Sequence, residues 1–485
     1  MNILINMQSF DDNAIYQELV TLSQKDCINK IYLSSSLMND VPEDLIDKYS
    51  KLKKIIILKT NNLFSINNMS DSKFNMHEHF LQDESYLHTD LLSSYRWLPI
   101  SKRKDNDFLS FSMVFYYDVY NYWNNFFNEN LIDFVIQLNE EHSSLDSILV
   151  RVAKKYKISN IITSRPVGAF TANSEEYHAI YDNNSESYMA VSNHLKNSTP
   201  LDTNSDFTVF SKKYKSSSKN KFTTSYHKFK HLIFDHKIST SLKIKNLYNT
   251  LLNKTITYFL LFKQYYYVKN IKKHYFKLAT KKANLNVNYI YYCIHFDPEA
   301  ATLPKDNANA NQLLNIRILA SSLPDGWKLY VKEHPHQLNH KIYFGYLLNQ
   351  LHAVDNFRSK NFYNYINNLE NVELVGLNNN HQEVMKNAKF IASNTGTVFR
   401  EASYLYKHCL TFSKNSFYEM LSNVHSVSDR LTCTNSILKY SNEEITNENV
   451  DKLFDGFSVT ITDINNISSI MLKEIFNIHK GICND

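Results

Sequence analysis

Three short stretches combine residue types that can handle an anion or a proton. The first is IYYCIHFDPEAATLPKDNANANQLLNIRILASSLPDGWKLYVKEHP, over residues 290–335, which holds four of the chain's eight prolines. In it two apolar runs end in polar clusters. His295 and Glu299 follow the first run, Gln312 stands in the next segment, and Lys332, Glu333, His334 and Pro335 end the second. Asp-Pro and His-Pro also punctuate ordinary turns. The second stretch is Ser393-Asn394-Thr395-Gly396-Thr397, with Glu401 downstream. Backbone N–H groups at a helix start, with hydroxyls beside them, suit a phosphate, and Gly396 lets the backbone come close. As plain helix capping, Thr397 would be the N-cap. The third is Asn139-Glu140-Glu141-His142 with Asp146. His142 and Asp146 are four apart and share one helical face. Such a pair orients an imidazole as a general base, or the carboxylate takes the proton itself. Arg165 ends the following apolar run and is expected to face the same cleft, with Asp11 and Asp12 after the first run as further candidates.

Several chemistries are missing from the sequence. There is no GxxxxGK[ST] loop and no GxGxxG turn. The acid pairs Asp11-Asp12, Glu140-Glu141 and Glu175-Glu176 are adjacent, not spaced i,i+2 as in a D-x-D metal site. Transfer of a group from a phosphate needs the departing charge stabilised, and helix N-termini, His⁺ and Lys can do this in place of a metal. Lys332 and His334 are the cationic candidates, so the expected reaction needs no metal and no cofactor. The five cysteines, Cys27, Cys293, Cys409, Cys433 and Cys483, form no C-x-x-C pair. That argues for a reducing compartment and against a disulfide scaffold.

These residues need strands and helices to hold them. Apolar runs at 2–6, 30–35, 54–59, 131–138 and 159–164 read as strands, with helical sequence between, including 144–156. A second series has strands at 289–296, 327–335, 371–376, 388–393 and 408–413, with helices over 308–321, 340–369 and from 397. Alternation of this kind predicts two doubly wound parallel sheets, with ligands at the carboxyl ends of the strands in the cleft between them. Residues 172–222 are polar and read as a long loop, and 223–282 as basic helices. The expected division is 1–171, a linker over 172–282, 283–440, and a helical tail over 441–485.

The net charge of +5 is unevenly spread. Residues 211–282 hold 18 Lys and one acid, Asp235, a local charge of +17 that leaves about −12 elsewhere. The plainest account is a solvated Lys-rich hairpin. The functional account is a patch for an anionic membrane surface or polymer. Nucleic acid fits less well, because the patch lacks Arg. The N-terminus has no signal-peptide pattern. The longest apolar stretch, 255–268, contains Lys263 and falls short of the ~20 residues of a membrane span. A cytoplasmic protein, peripheral to the inner membrane, is the expectation.

The 290–335 stretch resembles the signature of bacterial capsule and surface-polysaccharide biosynthesis proteins. There an H-[FY]-x-P-E-x-x-T-x-P turn precedes a helix with an early Gln and a V-K-E-H-P strand end. This chain has His295, Phe296, Pro298, Glu299, Thr302, Pro304, Gln312 and VKEHP in that order. The S-x-T-G-T-x-x-x-E-A loop and the pair Phe417-Tyr418 also fit, and His142 with Asp146 fit more loosely, since the family often has proline where Glu141 stands. The resemblance implies a GT-B glycosyltransferase, similar to transferases that use CMP-activated sugar acids. Its C-terminal domain would bind the nucleotide-sugar donor through His295, Glu299, Gln312, residues 332–335, residues 393–397 and Glu401. Its N-terminal domain would bind a glycan or lipid-linked acceptor, for which Arg165, Asp11 and Asp12 are the candidates by their places after strands. Asp146, His142 or Glu141 would be the base, and His334 would assist the leaving group.

Two other readings share these features. One is a sugar-nucleotide epimerase or hydrolase on the same double fold, which has less need of a basic membrane-facing segment. The other is a non-catalytic polysaccharide-binding or assembly protein, against which the polar strand ends of both domains argue.

Overall fold

A computed structural model describes residues 1–7, 13–35, 43–58, 108–138, 144–164, 176–182, 187–189, 265–297, 308–338, 357–413, 418, 421–443, 445, 459–461, 472, 475 and 476. The first sheet is built from β1 (Asn2–Met7), β2 (Lys30–Ser35), β3 (Ile55–Ile57), β4 (Phe134–Gln137) and β5 (Ser159–Ser164), all parallel, in the order β3-β2-β1-β4-β5. Helices α1 (Asn13–Gln24), α2 (Glu43–Ser50), α3 (Phe108–Glu129) and α4 (Ser144–Lys155) connect them. Alternation along β1 sends Ile3 and Ile5 to one face and Leu4 to the other. Ile3 and Ile5 pack with Ile15 and Leu19 of α1. Leu4 packs with Trp123, Phe126 and Phe127 of α3 and with Ile148 and Leu149 of α4.

Two expectations change at this sheet's edge. Part of the supposed loop 172–222 is strand: β6 (Glu176–Asp182) pairs antiparallel with β5, and β7 (Ser187–Met189) pairs antiparallel with β6. The apolar and aromatic alternation in EYHAIYD is short, and polar neighbours hide it. The tail is not purely helical either. Its described part includes a strand, Val459–Ile461, antiparallel to β6, and Leu472 and Ile475 are buried in the core under β1.

The second sheet is built from β8 (Tyr289–Cys293), β9 (Lys328–Lys332), β10 (Val372–Leu374), β11 (Phe390–Ser393), β12 (His408–Thr411) and β13 (Val424–Ser426), so the tail strand is β14. All six are parallel, in the order β10-β9-β8-β11-β12-β13. Counted within the domain this is 3-2-1-4-5-6, the Rossmann order. The helices are α5 (Gln312–Ser321), α6 (Lys360–Asn367), α7 (His381–Asn387), α8 (Thr397–Tyr404) and α9 (Arg430–Tyr440). Tyr289, Tyr291 and Tyr330 pack against Val384 and Met385 of α7 and Phe399 and Ala402 of α8. Two Rossmann-like parallel-sheet domains in one chain are what the strand alternation predicts, and they agree with the GT-B-like fold that the motif resemblance implies. In both sheets the order reverses beside the first strand, between β1 and β4 and between β8 and β11. Ligands in such sheets bind outside the carboxyl ends at that reversal.

Of the basic segment, 211–264 lies outside the described residues. Residues 265–278 are helical, with Val268, Ile271 and Tyr275 buried and Lys269, Lys272, Lys273 and Lys277 exposed. Among the described residues, no helix is long and apolar enough to cross a membrane. Cys293, Cys409 and Cys433 are free thiols, whereas Cys27 is disulfide-bonded.

A histidine pair fastens the β12–β13 edge. His408 Nε2 donates to the Glu443 carbonyl at 3.1 Å, and His425 Nε2 lies 3.0 Å from His408 Nδ1. A carbonyl only accepts, so neutral His408 carries its proton on Nε2 and accepts at Nδ1 from His425. His425 stacks on Tyr440 with ring centroids 3.6 Å apart. Burial lowers the pKa of both rings, and His408 and Lys439 push that of His425 further down, to about 4.

Candidate functional site

The carboxyl edge of the second sheet brings the two motif stretches together. β8 delivers His295, β9 delivers Lys332 to Pro335, and β11 delivers Ser393 to Thr397. His295 lies across from Gly396. Its Nε2 donates to the Thr395 carbonyl at 2.6 Å, and a Cβ on Gly396 would stand 3.0 Å from that nitrogen. Gly396 has φ 111° and is the N-cap of α8, with no side-chain cap hydrogen bond. Thr397 is therefore the first helical residue rather than the cap, and the amide groups of the first turn are left to other partners.

Many motif side chains hold this loop in place. Ser393 Oγ donates to the Cys293 carbonyl at 2.8 Å, tying β11 to β8. Asn394 is fully buried. It accepts from Tyr292 Oη and Asn315 Nδ2, both at 3.1 Å, and donates to the Asn309 carbonyl at 2.7 Å. Gln312 accepts from the His295 backbone at 2.6 Å and donates to the His295 carbonyl at 3.0 Å and to Asp297. Asn311 caps α5 by accepting from Leu313 and Leu314, which splits the helix expected over 308–321. Glu333 is also buried, accepting from the His334 backbone at 2.8 Å and from Tyr363 Oη at 2.7 Å. These buried polar groups meet protein partners, as they must away from water. Gln312, Glu333, Ser393 and Asn394 thus shape the site, where the sequence had suggested ligand contacts.

The accessible groups are fewer. His334 is half-buried, and its ring lies 5.8 Å from that of Phe296. Pro335 is exposed, and Thr395, Gly396, Thr397 and Glu401 are half-buried. Lys332 is largely buried and donates to the Asn379 carbonyl at 2.8 Å, and burial lowers its pKa. Burial pushes the neighbouring Cys293 thiol up to about 12. Thr397 Oγ1 lies 3.4 Å from Glu401 Oε1, and Glu401 Oε2 lies 3.4 Å from His381 Nε2. Tyr291 Oη meets His381 Nδ1 at 2.9 Å. His381 and Tyr291 were missed from sequence. The only hint was a histidine following NNN after a strand. Glu299, with Pro298, Thr302, Pro304 and Phe417, lies outside the described residues.

On the first sheet, Asp146 is 2% exposed. Asn6 Nδ2 donates to its Oδ1 at 2.9 Å, and Ser34 Oγ donates to Asn6 Oδ1 at 2.9 Å. Gln137 Nε2 donates to the Asp146 carbonyl at 3.1 Å. This polar chain crosses the ends of β2, β1 and β4 and fixes the first turn of α4 at the strand-order reversal. Asn6, Ser34 and Gln137 were not singled out from sequence, though each is a polar residue closing an apolar strand. Asp11, Asp12, Glu141, His142 and Arg165 lie outside the described residues.

No protein-family model matches the chain, and no curated protein does. Among solved structures it is similar to the UDP-GlcNAc 2-epimerase of Methanocaldococcus jannaschii, with 10% identity, 98% of this chain and 100% of that chain covered, and a TM-score of 0.25. It is similar to KpsC of Thermosulfurimonas dismutans, a β-Kdo 2,7 transferase, with 8% identity, 73% and 88% covered, and a TM-score of 0.29. It is also similar to the wall teichoic acid polymerase TagF, with 10% identity, 99% and 89% covered, and a TM-score of 0.22. At such scores the likenesses carry no argument, and the architecture rests on the two strand orders.

Proposed function

We propose that the chain is a glycosyltransferase that moves a sugar from a nucleotide-activated donor to a growing surface glycan, of capsule or lipopolysaccharide type, without a metal ion. One observation carries this reading. At the β8/β11 reversal, His295 holds the loop that ends in an α8 N-terminus without a side-chain cap, flanked by Thr395 and Thr397, with His334 at the neighbouring strand end. Backbone N–H groups, hydroxyls and an imidazole suit phosphate oxygens that gain charge as a bond breaks.

In this reading the acceptor hydroxyl attacks the anomeric carbon while the bond to the donor phosphate breaks. The phosphate leaves with the electron pair toward α8 and His334. The acceptor's proton goes to a base on the first sheet, drawn from Asp146, His142 and Glu141, with Arg165, Asp11 and Asp12 beside the acceptor. Glu299 and Glu401 take donor hydroxyls. The motif resemblance favours a CMP-activated sugar acid over UDP or GDP sugars. The exposed Lys269, Lys272, Lys273 and Lys277 suit an anionic inner-membrane surface bearing the acceptor.

The test is thermal stabilisation by CMP, UDP, GDP and their sugars, with and without EDTA, for the wild type and His334→Ala. A nucleotide at 100 times its dissociation constant should add about 2.7 kcal/mol. A shift with one nucleotide, indifferent to EDTA and reduced in the variant, is expected. No shift with any nucleotide would overturn the reading in favour of a non-catalytic assembly protein.

A further inference from the structure

The donor reading leaves Tyr291 and His381 without a task. Tyr291 lies fully buried in the middle of β8, and His381 opens α7 with its side chain 38% exposed. The cap residue Asn380 fixes the start of α7 by accepting from Gln382 and Glu383. Tyr291 Oη meets His381 Nδ1 at 2.9 Å, His381 Nε2 faces Glu401 Oε2 at 3.4 Å, and Glu401 Oε1 faces Thr397 Oγ1 at 3.4 Å. A carboxylate only accepts, so the proton on this side of the ring belongs on Nε2, and Nδ1 then accepts from the tyrosine. Tyr291 and His381 lead from the core to the carboxylate of Glu401, 31% exposed, beside the α8 N-terminus, and Thr397 meets that carboxylate from the other side.

This arrangement has a consequence for binding. A carboxylate one turn into α8 would repel a phosphate at the helix N-terminus if it swung toward it. Held by His381 and Thr397, it instead offers a fixed acceptor next to the anion position. We infer that His381 and Tyr291 are positioning residues. They hold Glu401 so that the site prefers a phosphate carrying adjacent hydroxyl groups over a bare phosphate or pyrophosphate. This rests on the donor reading above.

The experiment compares wild type, His381→Ala, His381→Gln, Glu401→Gln and the double variant His381→Ala/Glu401→Gln. Titration calorimetry would use CMP, UDP, GDP and inorganic pyrophosphate. His381→Ala should weaken the bound nucleotide about tenfold, the scale of a hydrogen bond to a charged group, and leave pyrophosphate unchanged. Gln can donate to Glu401 and accept from Tyr291, so His381→Gln should restore most of the affinity. The double variant should bind no worse than Glu401→Gln. Unchanged nucleotide affinity in His381→Ala, or an equal loss for pyrophosphate, would overturn the inference. A second arm needs no ligand: ¹⁵N-histidine NMR should find neutral His381 protonated on Nε2, with its ring ¹⁵N chemical shifts changed by Tyr291→Phe and by Glu401→Gln. The opposite tautomer, or ring shifts indifferent to both changes, would also overturn it. If wild type binds no nucleotide, the donor reading fails, while the NMR arm still decides whether His381 is held between Tyr291 and Glu401.

Discussion

Replacing Gly396 by alanine probes the geometry on which the 393–397 loop depends. The backbone there has φ 111° and ψ 175°, a region essentially confined to glycine, and holding an L residue in it costs about 1–3 kcal/mol. The added Cβ would also sit 3.0 Å from His295 Nε2. That ring is not a loose end, because its Nε2 donates to the Thr395 carbonyl, and giving way breaks a hydrogen bond worth about 1 kcal/mol. Together these predict a loss of about 2–4 kcal/mol, or a fall in Tm of roughly 5–12 °C for a domain of roughly 150 residues. The assay is urea and thermal unfolding of Gly396→Ala, His295→Ala and the double variant. His295→Ala removes the steric partner, so alanine at 396 should then cost only the backbone strain, and the difference is the coupling between the two positions. A loss below about 0.5 kcal/mol for Gly396→Ala alone, the range of an inconsequential surface change, would refute the close approach and with it the account of why glycine stands there.

Three further outcomes are expected. His425 and His408 have pKa values below the ordinary histidine value, so the folded state binds fewer protons than the unfolded chain. Their contribution is complete above about pH 6.5 and is lost as pH falls toward 4, a change of about 1–2 kcal/mol after discounting for solvent screening. Urea midpoints of wild type and His425→Phe between pH 8 and 4 should therefore converge at the acid end. Asn6→Ala removes a donor to the buried Asp146 carboxylate and should cost about 2–3 kcal/mol in urea unfolding, whereas Ser34→Ala, one step further from the charge, should cost about 1 kcal/mol. Glu333→Ala leaves the His334 amide and the Tyr363 hydroxyl without their shared acceptor. It should destabilise by about 2–4 kcal/mol in urea unfolding, and a fall in nucleotide affinity beyond that of Tyr363→Phe would show that Glu333 also aims His334.

The parts of the fold that sequence exposes are those with a strong local period. The runs NILIN, KIYLSS and YIYYC are buried on both faces, so they stand out as continuous apolar stretches, and both parallel sheets follow from them. What stays hidden depends on partners distant in the chain. β14 exists because it pairs with β6, nearly three hundred residues earlier, and no local pattern in VTI announces it. Helix α3 was not anticipated, although Tyr116, Tyr120, Trp123 and Phe127 recur on one face at helical spacing and are all buried. The aromatic richness of the whole chain blurs that signal. At the candidate site, the motif stretches fall at the carboxyl ends of β8, β9 and β11. The division of labour within them could not be seen, because it is set by hydrogen bonds spanning about a hundred residues, such as Ser393 to Cys293.

That division gives the motif a physical logic. A strand end that faces a ligand must stop its sheet ladder without leaving polar groups stranded, and buried ones need protein partners. Gln312, Glu333, Ser393 and Asn394 meet that need, each bonding to backbone or to another side chain at the same edge. His334, Thr395, Gly396, Thr397 and Glu401 keep the more accessible positions. Substituting the first set should therefore lower stability first and binding through distorted geometry, while substituting His334, Thr397 or Glu401 should change binding with little change in Tm. Measuring both quantities for Asn394→Ala and Thr397→Val separates the roles. If Asn394→Ala lost ligand affinity at unchanged stability, its buried bonds would not be what holds the loop.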